Sequence, residues 1–191
     1  MPRPPTDPDA EPHAQGLEAL PGDLMMWVLI LSELAVFGAG LAAFLAVRVG
    51  DPDGFAAAQA HLHRTGAGIN TIVLVTSGWL AALALDAAER GRRTRLRLLL
   101  AGAAALGVVF LVLKAREYVD LLALGLGFDS HPFFTFHLLL TGFHAAHVAA
   151  GIVLLALVGA LARPRPVEAG AAFWHMVDLV WVLLFPVVYL L

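Results

Sequence analysis

Two histidine-bearing segments carry residues of this chain that could do chemistry. In TGFHAAHVAAG, His144 and His147 lie three residues apart, so a helix would place them on one face. FWHMVDLVW gives His175 and Asp178 the same spacing. An imidazole that donates to a carboxylate satisfies both groups in a low dielectric, so these four residues predict a buried polar network.

A metal or haem site is the alternative, because His-x-x-His pairs on helices also ligate metals. A helical di-iron site needs Glu-x-x-His pairs, and the sequence contains none. Stacked haems need matched histidine pairs on two helices. His131 and His144 form only one such pair, and His131 precedes Pro132 outside the apolar stretch. With no cysteine for thiolate ligation either, we expect no metal in this chain.

Glu33, in LILSELAVFG, lies nine residues into an apolar stretch, about 14 Å from its start. A charged side chain at mid-membrane costs at least about 2.5 kcal/mol on insertion scales, so such an acid needs a proton or a partner. Two interpretations stay open. Glu33 is either a proton-handling or lipid-facing carboxylate, or a protonated acid that hydrogen-bonds across a helix interface for packing alone.

The segment LKAREYVD contains a third polar group. Lys114 is three residues from Glu117, and Arg116 is four from Asp120, which are the spacings of helix-surface pairs. The favoured interpretation is an outer interfacial cluster of Lys114, Glu117 and Asp120, with long side chains that snorkel toward the headgroups; a catalytic role is the alternative.

The aromatic residues give a further expectation about depth. Those near the ends of apolar stretches predict an aromatic belt: Trp27, Trp174, Tyr118 and Tyr189. Trp79 and Trp181 lie deeper and are expected to pack between helices.

Five apolar stretches must position all of these residues. The 191 residues are 60% hydrophobic and 14% charged, with a mean hydropathy of +0.81, which is typical of a membrane protein. The stretches each suffice to cross a bilayer, and they lie at about 24–47, 67–87, 97–121, 133–161 and 171–190. The sequence predicts an all-α, multi-pass bundle of five transmembrane helices over 23–191, after a disordered polar tail at 1–22.

Basic residues predict the orientation of the bundle. Eight arginines fall on one side if the N-terminus is cytoplasmic and the C-terminus periplasmic: Arg3, Arg90, Arg92, Arg93, Arg95, Arg97, Arg163 and Arg165.

Several function classes lack their motifs. Phosphate-binding glycine loops, nucleophile elbows and HExxH patterns are absent, which argues against hydrolytic enzymes, and nothing indicates nucleic-acid binding. A stand-alone proton or small-ion transporter remains an alternative, with Glu33, Asp178 and the histidines as a relay. No internal repeat supports a transporter built from two related halves.

Five segments resemble, in order, the signature stretches of haem-copper oxidase (cytochrome c oxidase) subunit III, over residues 22–190. They are LILSELAVFGAGLAAF, the stretch from Ile69 to Gly78, LKAREY, LLLTGFHAAHVAAGI and FWHMVDLVWVLLFPVVYLL. The chain looks like the short five-helix form, which lacks the first two of seven family helices. Its LMMWVLILSELAVFGA opening and FPVVYLL ending resemble the variant associated with bacterial nitric oxide reductases.

The resemblance implies an accessory subunit that is not catalytic alone. It would dock on catalytic subunit I of a haem-copper oxidase, or on a nitric oxide reductase, in a bacterial cytoplasmic (inner) membrane. Haem, with or without copper, would lie in the partner and none in this chain. The subunit would bind membrane phospholipid and support the stability of the catalytic subunit and its proton and oxygen supply.

The resemblance also assigns residues. Glu33 matches the buried carboxylate of the family's S-E motif. Glu117 matches the acid of the x-x-E-Y motif. The remaining matches are His144 and His147 in G-F-H-x-x-H, and His175 and Asp178 in W-H-x-x-D.

Overall fold

A computed structural model describes residues 24–191 and places five long helices, each apolar enough to cross a membrane. In chain order the helices are α1 Leu24–Gly50, α2 Pro52–Gln59, α3 Arg64–Glu89, α4 Arg93–Ala123, α5 Pro132–Leu161 and α6 Pro164–Phe185. A π-helical turn, Pro186–Leu190, continues α6 to the end of the chain. The prediction of five spans is confirmed. The predicted tail at 1–22 lies outside the described residues.

The helices are longer than the apolar stretches that predicted them. The hydrocarbon dictates the length of the apolar segment, whereas the helix itself continues into the headgroup region. The largest difference is at α6, which begins at Pro164 instead of 171. The Arg-Pro-Arg-Pro segment, which precedes the predicted stretch, starts this helix because proline fits the first helical position, where its missing N–H has no partner to lose.

The short helix α2 was not predicted, since it lies between the first two apolar stretches. Asp51 caps it: its Oδ1 accepts a hydrogen bond from the Gly54 amide at 3.1 Å, and Pro52 takes the first helical position. Gln59, buried at the end of α2, donates from Nε2 to the Val188 carbonyl at 2.9 Å. This bond fixes α2 against the terminal turn.

Small residues allow α3, α4, α5 and α6 to pack closely around the buried Trp174. A Cβ added to Gly107 on α4 or to Gly151 on α5 would come within 2.7 Å of its indole. The ring nitrogen donates to Ser77 Oγ on α3 at 3.0 Å. Trp174 therefore joins three helices as a core residue, and its assignment to an aromatic belt is wrong.

Of three other predictions about aromatic burial, one is confirmed and two are wrong. Trp181 is fully buried, as expected, but Trp79 is 62% exposed on the outer face of α3. Tyr189 was expected at the interface and is instead completely buried. The distance of a residue from the end of its apolar stretch does not show which side of the helix it occupies. That side decides whether the residue is buried.

Helix α1 is the peripheral element of the bundle. It packs on α5 and α6, and within it only Phe37 and Phe44 are buried. Its other large apolar side chains, such as Val28, Leu31 and Val36, face outward. This helix thus presents an open apolar surface to its surroundings.

Candidate functional site

The most connected polar group in the bundle is the Lys114 cluster, defined here as Lys114, Glu117, His137 and Tyr189. The Lys114 ammonium donates to Glu117 Oε2 at 3.0 Å and to the Tyr189 hydroxyl at 2.5 Å. That hydroxyl donates in turn to Glu117 Oε1 at 2.7 Å. His137 Nε2 lies 3.4 Å from the same carboxylate oxygen. Both oxygens of the acid are therefore engaged.

Three elements build this cluster. Helix α4 supplies Lys114 and Glu117, whose i,i+3 spacing brings them together on one face. His137 comes from the second turn of α5, and Tyr189 comes from the terminal π-helical turn. The hydrogen bond from Gln59 to the neighbouring Val188 carbonyl helps to hold that turn in place.

The pairing of Lys114 with Glu117 agrees with their spacing, but the snorkelling surface cluster does not form. Lys114 is 2% exposed and points inward, with the rings of Tyr118, Trp181 and Tyr189 at 5.2–5.3 Å from its ammonium. An anion and aromatic faces replace the water that the cation has lost. Asp120 stays exposed, outside the cluster.

Glu33 makes a second acid–histidine contact, with His147. The Oε2 of Glu33 lies 3.1 Å from His147 Nε2, which joins α1 to α5. The geometry falls short of a well-directed hydrogen bond, since this oxygen has no hydrogen-bond partner among the described residues. The two side chains retain 21% and 16% exposure. This pair therefore lies at the open side of the bundle, under the peripheral helix.

The predicted network of His144, His147, His175 and Asp178 does not assemble as one unit. His144 is fully buried among the rings of Phe37, Phe110 and Trp181, and neither ring nitrogen has a hydrogen-bond partner in the described part of the chain. These aromatic residues separate it from the other polar groups.

His175 and Asp178 lie on α6 against α3. The Asp178 carboxylate contacts Gly78 so closely that a Cβ there would overlap it, and the same Cβ would lie 3.5 Å from His175 Nδ1. Asp178 Oδ1 has no hydrogen-bond partner within residues 24–191. Shared helical spacing placed the two side chains near one another without producing the predicted donor–acceptor bond.

A third acid–histidine contact was missed by sequence reasoning. Asp51, the cap of α2, lies 3.1 Å from His131 Nε2 in the α4–α5 connection. The His131 hydrogen bond lowers the pKa of the exposed Asp51 carboxyl below its usual 3.8, and the Gly54 amide lowers it further. The D-P dipeptide was a cap signal that could have revealed Asp51, but nothing local connects it with a residue 80 positions away.

Among residues 24–191 no three His, Asp or Glu side chains converge in a way that could hold an ion. The histidines instead face a carboxylate singly or pack against rings.

Five long apolar helices with acid–histidine contacts inside the bundle define the class: a polytopic α-helical membrane protein with buried polar sites. Residues 67–191 match the sequence model of the family described as cytochrome c oxidase subunit III. The chain belongs to this family, and the resemblance seen in the five motifs is confirmed. It is an accessory, subunit III-type component of haem-copper oxidases.

Relatives extend the match to α1. The chain is 37% identical over 139 residues to cytochrome c oxidase subunit 3 of Corynebacterium diphtheriae, covering 68% of this chain and 67% of that one. It is also 31% identical over 183 residues to cytochrome c oxidase subunit 3 of Synechocystis sp., covering 88% of this chain and 76% of that one. A heme-copper oxidase subunit I+III of Aeropyrum pernix is 33% identical over 180 residues, which cover 86% of this chain but only 22% of that longer one.

Proposed function

We propose that this chain docks on catalytic subunit I of a haem-copper respiratory oxidase in a bacterial cytoplasmic membrane. The observation that carries the proposal is the family match over 67–191. The Aeropyrum pernix relative adds support, because its name joins subunits I and III in one protein. Haem, with or without copper, would belong to the partner, and this chain would take no direct part in electron transfer.

The open surface of α1 is consistent with such a complex. A helix that buries two phenylalanines and exposes most of its other large apolar side chains needs lipid or protein around it. In the proposed complex, phospholipid and the partner subunit share that surface. The N-terminus would be cytoplasmic and the C-terminus periplasmic, as the arginine distribution predicts.

Glu33 is the residue through which we expect the subunit to act on its partner. It is an acid inside a membrane span, in contact with His147, at the side of the bundle where lipid or protein must approach. There it would hold a proton or a lipid headgroup, and so support proton and oxygen supply to the catalytic subunit. His144, His175 and Asp178 would then act in helix packing.

Purification of the tagged chain in lipid nanodiscs tests the complex. We expect a haem-containing subunit to co-elute with the chain and to reduce oxygen. Consumption of nitric oxide in place of oxygen would assign the chain to a nitric oxide reductase, which the α1 opening and the FPVVYLL ending favour. Elution of the chain alone, without a Soret band, would contradict both partners.

A stand-alone transporter has less support. Its relay would need Glu33, Asp178 and the histidines to connect, whereas the rings around His144 separate it from the other polar groups. The purified chain in liposomes is therefore expected to give no proton flux above empty vesicles. A flux that Glu33→Gln abolishes would restore the transporter interpretation.

A further inference from the structure

A cavity of about 150 Å³ lies between α3 and α4, beside the Lys114 cluster. At roughly 30 Å³ per water molecule, it has room for several waters. Its walls carry both charged and small residues: His63, Gly66, Ala67, Asn70, Leu113, Arg116, Glu117 and Asp120. A space of this size with several polar groups in its wall can be hydrated, whereas a wholly apolar void stays dry.

Asn70 places beside the cavity an acceptor that is unpartnered among the described residues. This side chain is 2% exposed, and its Nδ2 donates to the Phe110 carbonyl at 3.3 Å. Its Oδ1 has no hydrogen-bond partner in the described part of the chain, although the residue lines the cavity. Buried amide oxygens are rarely left without a donor, so a water that moved inward from the cavity would find an acceptor at this oxygen.

Glu117 connects this cavity with the Lys114 cluster. It forms part of the cavity wall and keeps 12% exposure, while Lys114, His137 and Tyr189 keep 2% or less. Of the four cluster residues, Glu117 is therefore the one that a water in the cavity can reach. Any proton that enters the cluster from this side must pass through its carboxylate.

The cavity also has a route to the aqueous phase. A larger open depression at the α2–α3 connection shares His63 and Gly66 with it. Arg116 and Asp120, on the cavity wall, are exposed. The two adjacent depressions thus lead from the surface at the end of the bundle toward Glu117.

We propose that this cavity is a hydrated access pocket through which the Lys114 cluster exchanges protons with the aqueous phase. A hydronium ion transfers one proton to a Glu117 carboxylate oxygen and leaves as water, and the reverse step returns the proton. The titratable and charged groups that face Glu117 come from every neighbouring element. They are Lys114, Arg116, Tyr118 and Asp120 on α4, His63 at the start of α3, His137 on α5 and Tyr189 from the terminal turn.

Because the chain contains no cysteine, single-cysteine variants can test the pocket. In membranes with the assembled complex, Asn70→Cys and Ala67→Cys should react with a small, membrane-impermeant methanethiosulfonate. Ser77→Cys is the matched control, since Ser77 lies on the same helix, is fully buried and is outside the cavity. It should react at least tenfold more slowly, while exposed Asp120→Cys confirms that the reagent arrives.

Two outcomes would overturn the proposal. If both cavity cysteines react as slowly as Ser77→Cys while Asp120→Cys reacts, the cavity is dry.

The proton route is tested by infrared spectroscopy after transfer to D₂O, with cluster bands assigned by Glu117→Gln and Tyr189→Phe. Ala67→Leu, which fills the cavity, should slow the deuterium exchange of Glu117 and Tyr189 at least tenfold. An unchanged rate would show that protons enter elsewhere.

Discussion

The Lys114 cluster and the Glu33–His147 pair place the same two chemical groups, a carboxylate and an imidazole, in different surroundings. Glu117 is held by a cation and a hydroxyl and approached by His137, at the junction of α4, α5 and the terminal turn. Among the described residues, Glu33 has only the His147 imidazole beside it, at the contact of peripheral α1 with α5. The first carboxylate is compensated on several sides, and the second is open to exchange its partner.

This difference indicates which site is structural and which is adaptable. A buried charge is stable only while its whole set of partners is present, so the Lys114 cluster fixes the relative positions of its helices. A partly exposed acid with one imperfect contact among the described residues can accept a proton, a headgroup or a partner residue with little rearrangement. The subunit thus has a rigid polar core at one end and, on α1, an acid that can change its partner.

Lys114→Met gives the largest expected effect on this comparison. It leaves the Glu117 carboxylate buried without its cation, and breaking a buried pair costs about 3–5 kcal/mol. Thermal denaturation in nanodiscs should show a large loss of stability. Arg116→Met, at an exposed position on the same helix, should change the free energy of unfolding by less than about 0.5 kcal/mol.

The double variant Lys114→Met/Glu117→Met separates charge from packing. With both charges removed, stability should recover much of the loss, because no uncompensated ion remains. If Lys114→Met is as stable as Arg116→Met, the cluster does not hold the bundle together.

Gly78→Ala tests how closely α3 packs against the buried Asp178 carboxylate of α6. The added methyl group would overlap the Asp178 carboxylate, and overpacking of this kind costs about 1–3 kcal/mol. Gly38→Ala is the matched control, since nothing lies within 4 Å of the methyl group there. Thermal denaturation should show that Gly78→Ala is less stable than Gly38→Ala. Adding Asp178→Ala to Gly78→Ala should relieve the clash. Equal stability of the two alanine variants would contradict the tight α3–α6 contact.

The extent to which the sequence predicts this structure depends on the kind of contact. Span number follows from hydropathy, and Lys114 with Glu117 follows from i,i+3 spacing, because both are local properties. The partners Tyr189 and His137 are brought in by α5 and the terminal turn, so spacing on α4 cannot identify them. The inward direction of Lys114 depends on those partners as well.

For the histidine motifs, spacing predicted a shared network that the fold does not form. Spacing correctly placed His144 and His147 close together on α5, but a difference of three residues turns one side chain into the ring-lined core and the other toward Glu33. Side-chain direction relative to α1, α4 and α6 decides their partners, and only tertiary packing supplies it. Family motifs identified these residues without indicating what they contact.

Glu33→Gln should have a smaller effect on stability and a clearer one on function. The pair is partly exposed and poorly aligned, so its loss should change the free energy of unfolding by less than about 1 kcal/mol. In the proposed complex, assembly and haem spectra should be retained, while proton uptake, lipid occupancy or durability during turnover should change. Glu117→Gln, as control, should destabilise the protein more. Wild-type behaviour in all three functional measurements would make Glu33 a packing residue.

The Asp51–His131 contact extends the comparison to water, and its removal should have the smallest effect. Because His131, and then the Gly54 amide, lower the pKa of folded Asp51 below 3.8, the carboxylate stabilises the fold above that pH. Its contribution is lost as the pH falls through the lowered folded value. Asp51→Asn should therefore weaken the hydrogen-exchange protection of α2 amides near neutral pH and differ little from wild type at acidic pH below its folded pKa.

Asp129→Asn separates this contact from a general charge effect, since it removes an exposed acid from the same connection as His131. It should leave α2 protection unchanged at every pH. If Asp51→Asn lowers protection equally at neutral and acid pH, the effect would come from the lost cap geometry and not from the carboxylate–imidazole contact. The acid–histidine contact would then not stabilise this fold at an exposed position.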